Sequence, residues 1–285
     1  DLLISEGYDV WLENWRASID LVPNRWTLDQ AAVFDHPKAV RKVVEETGWD
    51  RIKAVIHCQG STSFMMSAVS GLVPEVRTIV SNAVSLHPIV PAVTSLKISS
   101  AVPVVKLFSD YLNPQWCVHA PTMFAKAVAG AIALSHHECN NPVCKGVSFT
   151  YGIGFPALWS HANLNDATHQ WLSNEFAQVP ITFFEQIVKS IHAGHLVPVE
   201  NRTELPKSFV AQAPMTDARF AFFAGLNNRC FLAQSQVTTF EFFDSHRKNY
   251  HTYRPIPNYG HLDIFMGKDA ARDVFPFMLE ELQKE

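Results

Sequence analysis

Cys58, His261 and Asn228 are the residues whose types and order along the chain could perform covalent chemistry. Cys58 lies in Ile56-His57-Cys58-Gln59-Gly60, where an aliphatic run gives way to small and polar residues. Such a stretch reads as a strand turning sharply into a helix, with the central side chain held in a strained, exposed position. A thiol at that point meets the partial positive charge of a helix N-terminus, which favours thiolate, and a facing imidazole would lower its pKa further. Gly60 supplies a small residue two places after the thiol, whereas Ile56 fills the matching place before it. His57 is expected to pack beside the turn rather than face Cys58, because neighbouring side chains diverge there.

A base must come from elsewhere. His261 lies in Asn258-Tyr259-Gly260-His261-Leu262-Asp263, a loop after the last expected strand, where glycine lets an imidazole reach back. The third member should follow the strand Ala218 to Phe223, and Gly225-Leu226-Asn227-Asn228 offers amides there instead of a carboxylate. Asn228 is the expected orienter, since an amide carbonyl can fix an imidazole tautomer and a thiol needs less help than a hydroxyl. Asp263, Asp244 and Glu241 are the alternative acids. The group His136-His137-Glu138-Cys139 with Cys144 is too irregular in spacing to assign a metal, and none is expected. His192 and His195 read as polar surface or satisfied core groups.

The elements that must position these residues follow from periodicity and breakers. Tyr8 to Leu12 reads as a buried strand ending in the polar loop Glu13-Asn14-Trp15-Arg16. Pro37 opens a helix that stops at Gly48; Ile52 to Ile56 is a strand; an apolar helix after Cys58 stops near Gly71; Val76 to Val80 is the next strand. This strand and helix alternation predicts a mostly parallel sheet flanked by helices, an α/β fold. From Pro88 to Pro206 the pattern loosens around an alanine-rich helix, Phe124 to Leu134, and recurring Trp116, Phe155, Trp159, Trp171, Phe183 and Phe184. The sheet resumes at Ala218 to Phe223, continues near Tyr250 to Tyr253, and a helix from Ala270 to Leu282 ends the chain. The expected organisation is therefore a core over 1–87 that carries the turn at Cys58, an inserted, mainly helical cap over 88–206, and a second core part over 207–285. Trp116, Trp159 and Phe183 are candidates for lining an apolar pocket.

Composition bounds the partners. The 285 residues are 47% hydrophobic and 12% aromatic with a net charge of −4, which disfavours disorder and nucleic-acid binding and favours a small molecule. Five scattered cysteines without a leader fit a reducing, cytoplasmic setting. Lys97 and Lys106 interrupt the longest apolar stretch, so no membrane insertion is expected.

Gly7-Tyr8-Asp9-Val10-Trp11-Leu12-Glu13-Asn14-Trp15-Arg16-Ala17-Ser18 and Gly260-His261-Leu262-Asp263 resemble the acid-lipase and esterase branch of the α/β-hydrolases. The cysteine turn also resembles polyhydroxyalkanoate synthases. His57-Cys58-Gln59-Gly60-Ser61-Thr62-Ser63-Phe64 looks closest to hydrolase domains fused behind flavin-dependent sterol-oxidase-like proteins. The resemblance implies an acyl-enzyme on Cys58, acid and base work by His261, and an oxyanion hole made partly by the Gln59 backbone N–H. It implies no cofactor for the hydrolase itself, and a flavin oxidoreductase domain on the same polypeptide. It also places the second oxyanion donor on a strand upstream of Tyr8, so the native polypeptide is expected to extend in that direction. An apolar ester, lactone or thioester is the expected substrate, with acyl transfer, or lipid and sterol binding without turnover, as the alternatives.

Overall fold

The computed structural model describes residues 1–137, 139–152, 154 and 157–284; Glu138 and Phe155 lie outside the described residues. Four strands, β1 (Ile52–His57), β2 (Val76–Asn82), β5 (Arg219–Gly225) and β6 (Thr252–Ile256), form one parallel sheet in the order β1-β2-β5-β6. Two short strands, β3 (Tyr111–Leu112) and β4 (Val179–Pro180), pair antiparallel between β2 and β5. Parallel pairing brings the C-terminal ends of all four main strands to one rim, and that rim carries the residues singled out above.

β5 shows why the sheet is buried on both faces. Phe220 and Phe222 join the core with Trp26, Met65 and Phe243, while Ala221 and Phe223 join a second cluster with Ile256, Ile264 and Met278. Alternate side chains thus enter opposite layers. The helix Cys58–Val69 lies inside the first layer, with every residue from Ser61 to Val69 buried. Its buried hydroxyls at Ser61, Thr62, Ser63 and Ser67 are satisfied by hydrogen bonds inside the protein instead of by solvent.

The breakers act as expected at Gly48 (φ +72°), which ends the helix His36–Thr47, and at Gly71 (φ +73°). Three elements differ from expectation. Tyr8 to Leu12 is irregular and open to solvent, with Leu12 92% exposed, because no strand among the described residues pairs with it. The last helix is split into Ala270–Asp273 and Phe275–Gln283, since Pro276 has no N–H to continue a turn and sits instead near the start of the second piece. The last strand runs later, to Ile256, and includes Pro255; it lies at the sheet edge and pairs only with β5, so a missing donor is tolerated.

Between β2 and β5 the chain is mainly helical, with Ala92–Lys106, Met123–Ser135, Pro142–Tyr151, Asp166–Trp171 and Ile181–Ala193. The last of these drives Ile181, Phe183, Phe184 and Ile187 into the main core beside Trp26 and Leu28. Among the described residues no helix is long and apolar enough to cross a membrane.

Candidate active site

β1 ends at His57 and the helix begins at Cys58, with no loop between them. Cys58 takes φ +53°, a left-handed conformation that a non-glycine residue adopts only under constraint from its surroundings. The constraint comes from both sides. Ile56 is buried in the main core, so β1 cannot shift, and the first turn of the helix is tied down by a chain of buried hydroxyls. Ser61 Oγ meets Ser81 Oγ at 2.9 Å, Ser81 meets Ser85 at 2.7 Å, and Ser85 donates to Gln236 Oε1 at 2.7 Å. Gln236 Nε2 in turn donates to the Ser81 carbonyl at 2.8 Å. At Gly60 an added Cβ would meet nothing within 4 Å, so space does not demand glycine there.

His261 approaches from the loop after β6, whose backbone is sewn to the helical segment: His261 and Leu262 both donate N–H to the Leu158 carbonyl, at 3.0 and 2.7 Å. One ring nitrogen each of His57 and His261 and the Cys58 sulfur all lie within 4.8 Å of one another. The two imidazoles pack with centroids 4.8 Å apart. His57 therefore does not diverge from Cys58 as expected from its sequence position. The extended backbone at His57 and the left-handed backbone at Cys58 fold the two side chains toward a common point.

Asn228 is buried beside His261, 3.0 Å from amide nitrogen to Nδ1. Its carbonyl oxygen accepts the backbone N–H groups of Cys230 (2.9 Å) and Phe231 (3.1 Å). That pair of bonds fixes which end of the amide faces the ring. The nitrogen faces it, not the carbonyl oxygen expected from sequence, so Nδ1 accepts and the ring hydrogen belongs on Nε2. Nε2 of His261 has no hydrogen-bond partner among the described residues. The alternative acids are engaged elsewhere. Asp263 accepts from the Gly260 N–H (2.7 Å), the Ser160 N–H (3.0 Å) and Asn163 Nδ2 (2.7 Å), which shapes the His261 loop. Asp244 pairs with Lys248, and Glu241 is exposed.

Charge is scarce in this site. Burial pushes the His57 imidazole down to about 3 and holds His261 well below the usual histidine value, so both rings are neutral at physiological pH. Burial pushes the Cys58 thiol up to about 12, outweighing the Gln59 backbone N–H that favours the thiolate. The expected thiolate is thus replaced by a thiol beside neutral imidazoles. Two neighbours had no signal in the sequence. Tyr151 lies near the Gln59 side chain and the sulfurs of Cys58 and Cys230, and burial raises its pKa. Lys97 donates to the Gly152 carbonyl (2.6 Å) near Cys230 and is pushed down to about 8 by burial.

A wide groove of about 1150 Å³ reaches the turn at His57 and Gly60 and is lined further out by Ile56, Phe64, Tyr8 and Trp15. Trp116, Trp159 and Phe183 do not line it: Phe183 packs on Trp26, Trp159 belongs to a separate cluster with Cys144 and Val147, and Trp116 lies edge-on to Phe124.

No protein-family model matches the chain. Human lipase member K is similar at 24% identity over 297 residues, which covers 96% of this chain and 71% of the lipase. The monoacylglycerol lipase of Paleococcus ferrophilus superposes with a TM-score of 0.51 at 9% identity, covering 88% of this chain and 75% of that one. A thermophilic esterase from Thermogutta terrifontis superposes with a TM-score of 0.51 at 9% identity, covering 93% and 76%. At these identities the superpositions speak for the fold, and they agree with the parallel sheet flanked by helices. This chain has the α/β-hydrolase fold.

Proposed function

We propose that the chain is an acyl hydrolase for apolar esters, with Cys58 as nucleophile, His261 as the group that moves the proton, and Asn228 as its seat. The observation that carries this reading is the left-handed Cys58 at the C-terminal end of β1, with imidazole nitrogens gathered around its sulfur. The wide groove beside His57 and Gly60 is consistent with an apolar acyl or alcohol portion.

In this scheme the thiol proton passes to the imidazole as sulfur attacks the ester carbonyl carbon, and the Gln59 N–H meets the developing oxyanion. The tetrahedral adduct collapses to a thioester, and the departing alkoxide takes the proton from the imidazolium. Water then gives a proton to the same imidazole and attacks the thioester, releasing the acid and restoring the thiol. Nε2 must be free of hydrogen to accept the first proton, so Nδ1 must carry it and face an acceptor. Turning the Asn228 amide to present its oxygen sacrifices the bonds from Cys230 and Phe231, about 1 kcal/mol each. A slow enzyme is the expected consequence.

The same amide orientation favours a second reading, a hydrolase-like module that binds a lipid without turning it over. Turnover of medium-chain p-nitrophenyl esters by the native chain and by Cys58→Ala separates the two. Activity lost in the variant, with an acyl adduct on Cys58 in the intact mass of the native chain, supports the hydrolase. Equal rates in both proteins would sink it.

A further inference from the structure

Away from the Cys58 site, four side chains from three separate segments of the helical region converge. Cys139 and Cys144 flank the start of the helix Pro142–Tyr151, His161 opens a short turn, and His169 lies in the helix Asp166–Trp171. Their sulfur and nitrogen atoms all lie within 4.8 Å of one another. Cys139 Sγ is 3.4 Å from His169 Nε2, and Cys144 Sγ is 3.4 Å from His161 Nε2. A tetrahedral zinc ion with Zn–S near 2.3 Å and Zn–N near 2.0 to 2.1 Å sets its sulfur and nitrogen ligands about 3.6 Å apart. The two sulfur–nitrogen separations lie close to that edge. The His161 and His169 rings stand 73° apart with centroids at 4.8 Å, so their Nε2 atoms can converge without the rings stacking.

The surroundings are those of a metal centre rather than of four unrelated residues. The Asn141 backbone N–H points at Cys139 Sγ (3.3 Å), and the Asn141 side chain caps the helix that carries Cys144 and donates to the His169 carbonyl at 3.0 Å. The indole of Trp159, a residue only 2% exposed, packs in the same buried cluster as Cys139 and Cys144, and its N–H has no hydrogen-bond partner among the described residues. A backbone N–H aimed at sulfur, as at Asn141, steadies a coordinated thiolate. Both cysteines are buried while both histidines are partly exposed, which leaves an entry path on the histidine side.

We infer that Cys139, Cys144, His161 and His169 bind one zinc ion in a tetrahedral site of two thiolates and two imidazoles. Both thiols lose their protons to solvent as the metal binds, and no redox change is involved. Two soft and two borderline ligands with tetrahedral spacing select zinc among the common divalent metals. The site is structural, because four protein ligands leave no open position for substrate. Its reach extends to the catalytic loop through Leu158, whose carbonyl receives the His261 and Leu262 N–H groups, and through Ser160, which donates to Asp263. From sequence the pattern was hidden, since the histidines adjacent to Cys139 are not the ones that converge with it.

The test is elemental analysis of the full chain prepared in metal-free buffers, alongside Cys144→Ser, His169→Ala and Cys58→Ala. About one zinc per chain is expected in the native protein and in Cys58→Ala, with loss to background in the other two variants. If those two variants fail to fold, native protein stripped with a chelator and reloaded with cobalt(II) still reports the site, through the absorption of tetrahedral cobalt bound to thiolate. The inference is overturned by any of four results: background zinc in the native chain together with no thiolate–cobalt absorption; zinc retained in folded Cys144→Ser; zinc lost in Cys58→Ala; or a Cys139–Cys144 disulfide in the unreduced protein.

Discussion

Asn228 differs from aspartate by one atom, and that atom decides which tautomer His261 can hold. In Asn228→Asp one carboxylate oxygen would keep the N–H groups of Cys230 and Phe231, and the other would accept from Nδ1, freeing Nε2 to take a proton. Ester turnover in Asn228→Asp is expected to rise on the order of 10-fold or more over the native chain. Steady-state kinetics check this, and a rate equal to or below the native one would mean that His261 does not limit proton transfer. A second expectation concerns Cys58 itself. With its thiol pushed up to about 12, iodoacetamide labelling of the folded protein should be slow at neutral pH and keep climbing through the range where a free cysteine, with a pKa of about 8.5, has levelled off. Peptide mapping of the Cys58 adduct against pH measures it. A plateau below about pH 8 would instead indicate a stabilised thiolate.

The end of β5 and the loop after β6 meet at a pair of glycines, Gly225 and Gly260, that hold the His261 loop in place. A Cβ at Gly225 would run into the backbone carbonyl of Gly260 and lie 2.6 Å from that of Tyr259, neither of which can yield without moving His261. Gly225→Ala is therefore expected to destabilise the fold by roughly 1–3 kcal/mol, as overpacking does, and to lower ester turnover further than Cα displacement elsewhere would. Urea unfolding and kinetics on the same preparation check both parts; a variant with native stability and native rate would remove the glycine contact from the account of how His261 is placed. The elements themselves were readable in the chain. Runs of Ile and Val marked β1 and β2, and Gly48 and Gly71 marked helix ends, because these are matters of nearest neighbours. Tyr8 to Leu12 has the composition of a strand but no partner in the sheet, and partnering is not a local property.

Across the described residues, burial holds several histidines below their ordinary value, among them His57 at about 3, His87 and His251 at about 4, and His261 well below the usual histidine value. Above about pH 6.5 these rings are neutral both folded and unfolded, so their burial costs nothing in protonation. As pH falls through that value the unfolded chain takes up protons that the folded chain refuses, and stability declines down to the folded values near 4 and 3. Asp29 and Asp263, whose carboxyls burial raises, oppose this trend lower down, in the carboxylate range. The urea midpoint is expected to drop between pH 7 and pH 5, with a smaller drop in His251→Gln. A midpoint constant over that interval would contradict neutral burial of these rings.

By itself the sequence determined the parallel α/β layering, the turn at Cys58 and the order of Cys58, Asn228 and His261, because periodicity and chain breakers act over a few residues. Tertiary structure alone decided which end of Asn228 faces His261, that His57 turns inward, that Tyr151 and Cys230 crowd the thiol, and that Trp159 and Phe183 pack away from the groove. It also gathered Cys139, Cys144, His161 and His169 into one cluster. Cys230 and Phe231 turn the Asn228 amide from close by in sequence, but the ring it faces and the partners in the other cases come from segments far apart in the chain. The backbone geometry that brings them together is set by how whole layers pack, which no single stretch of residues encodes.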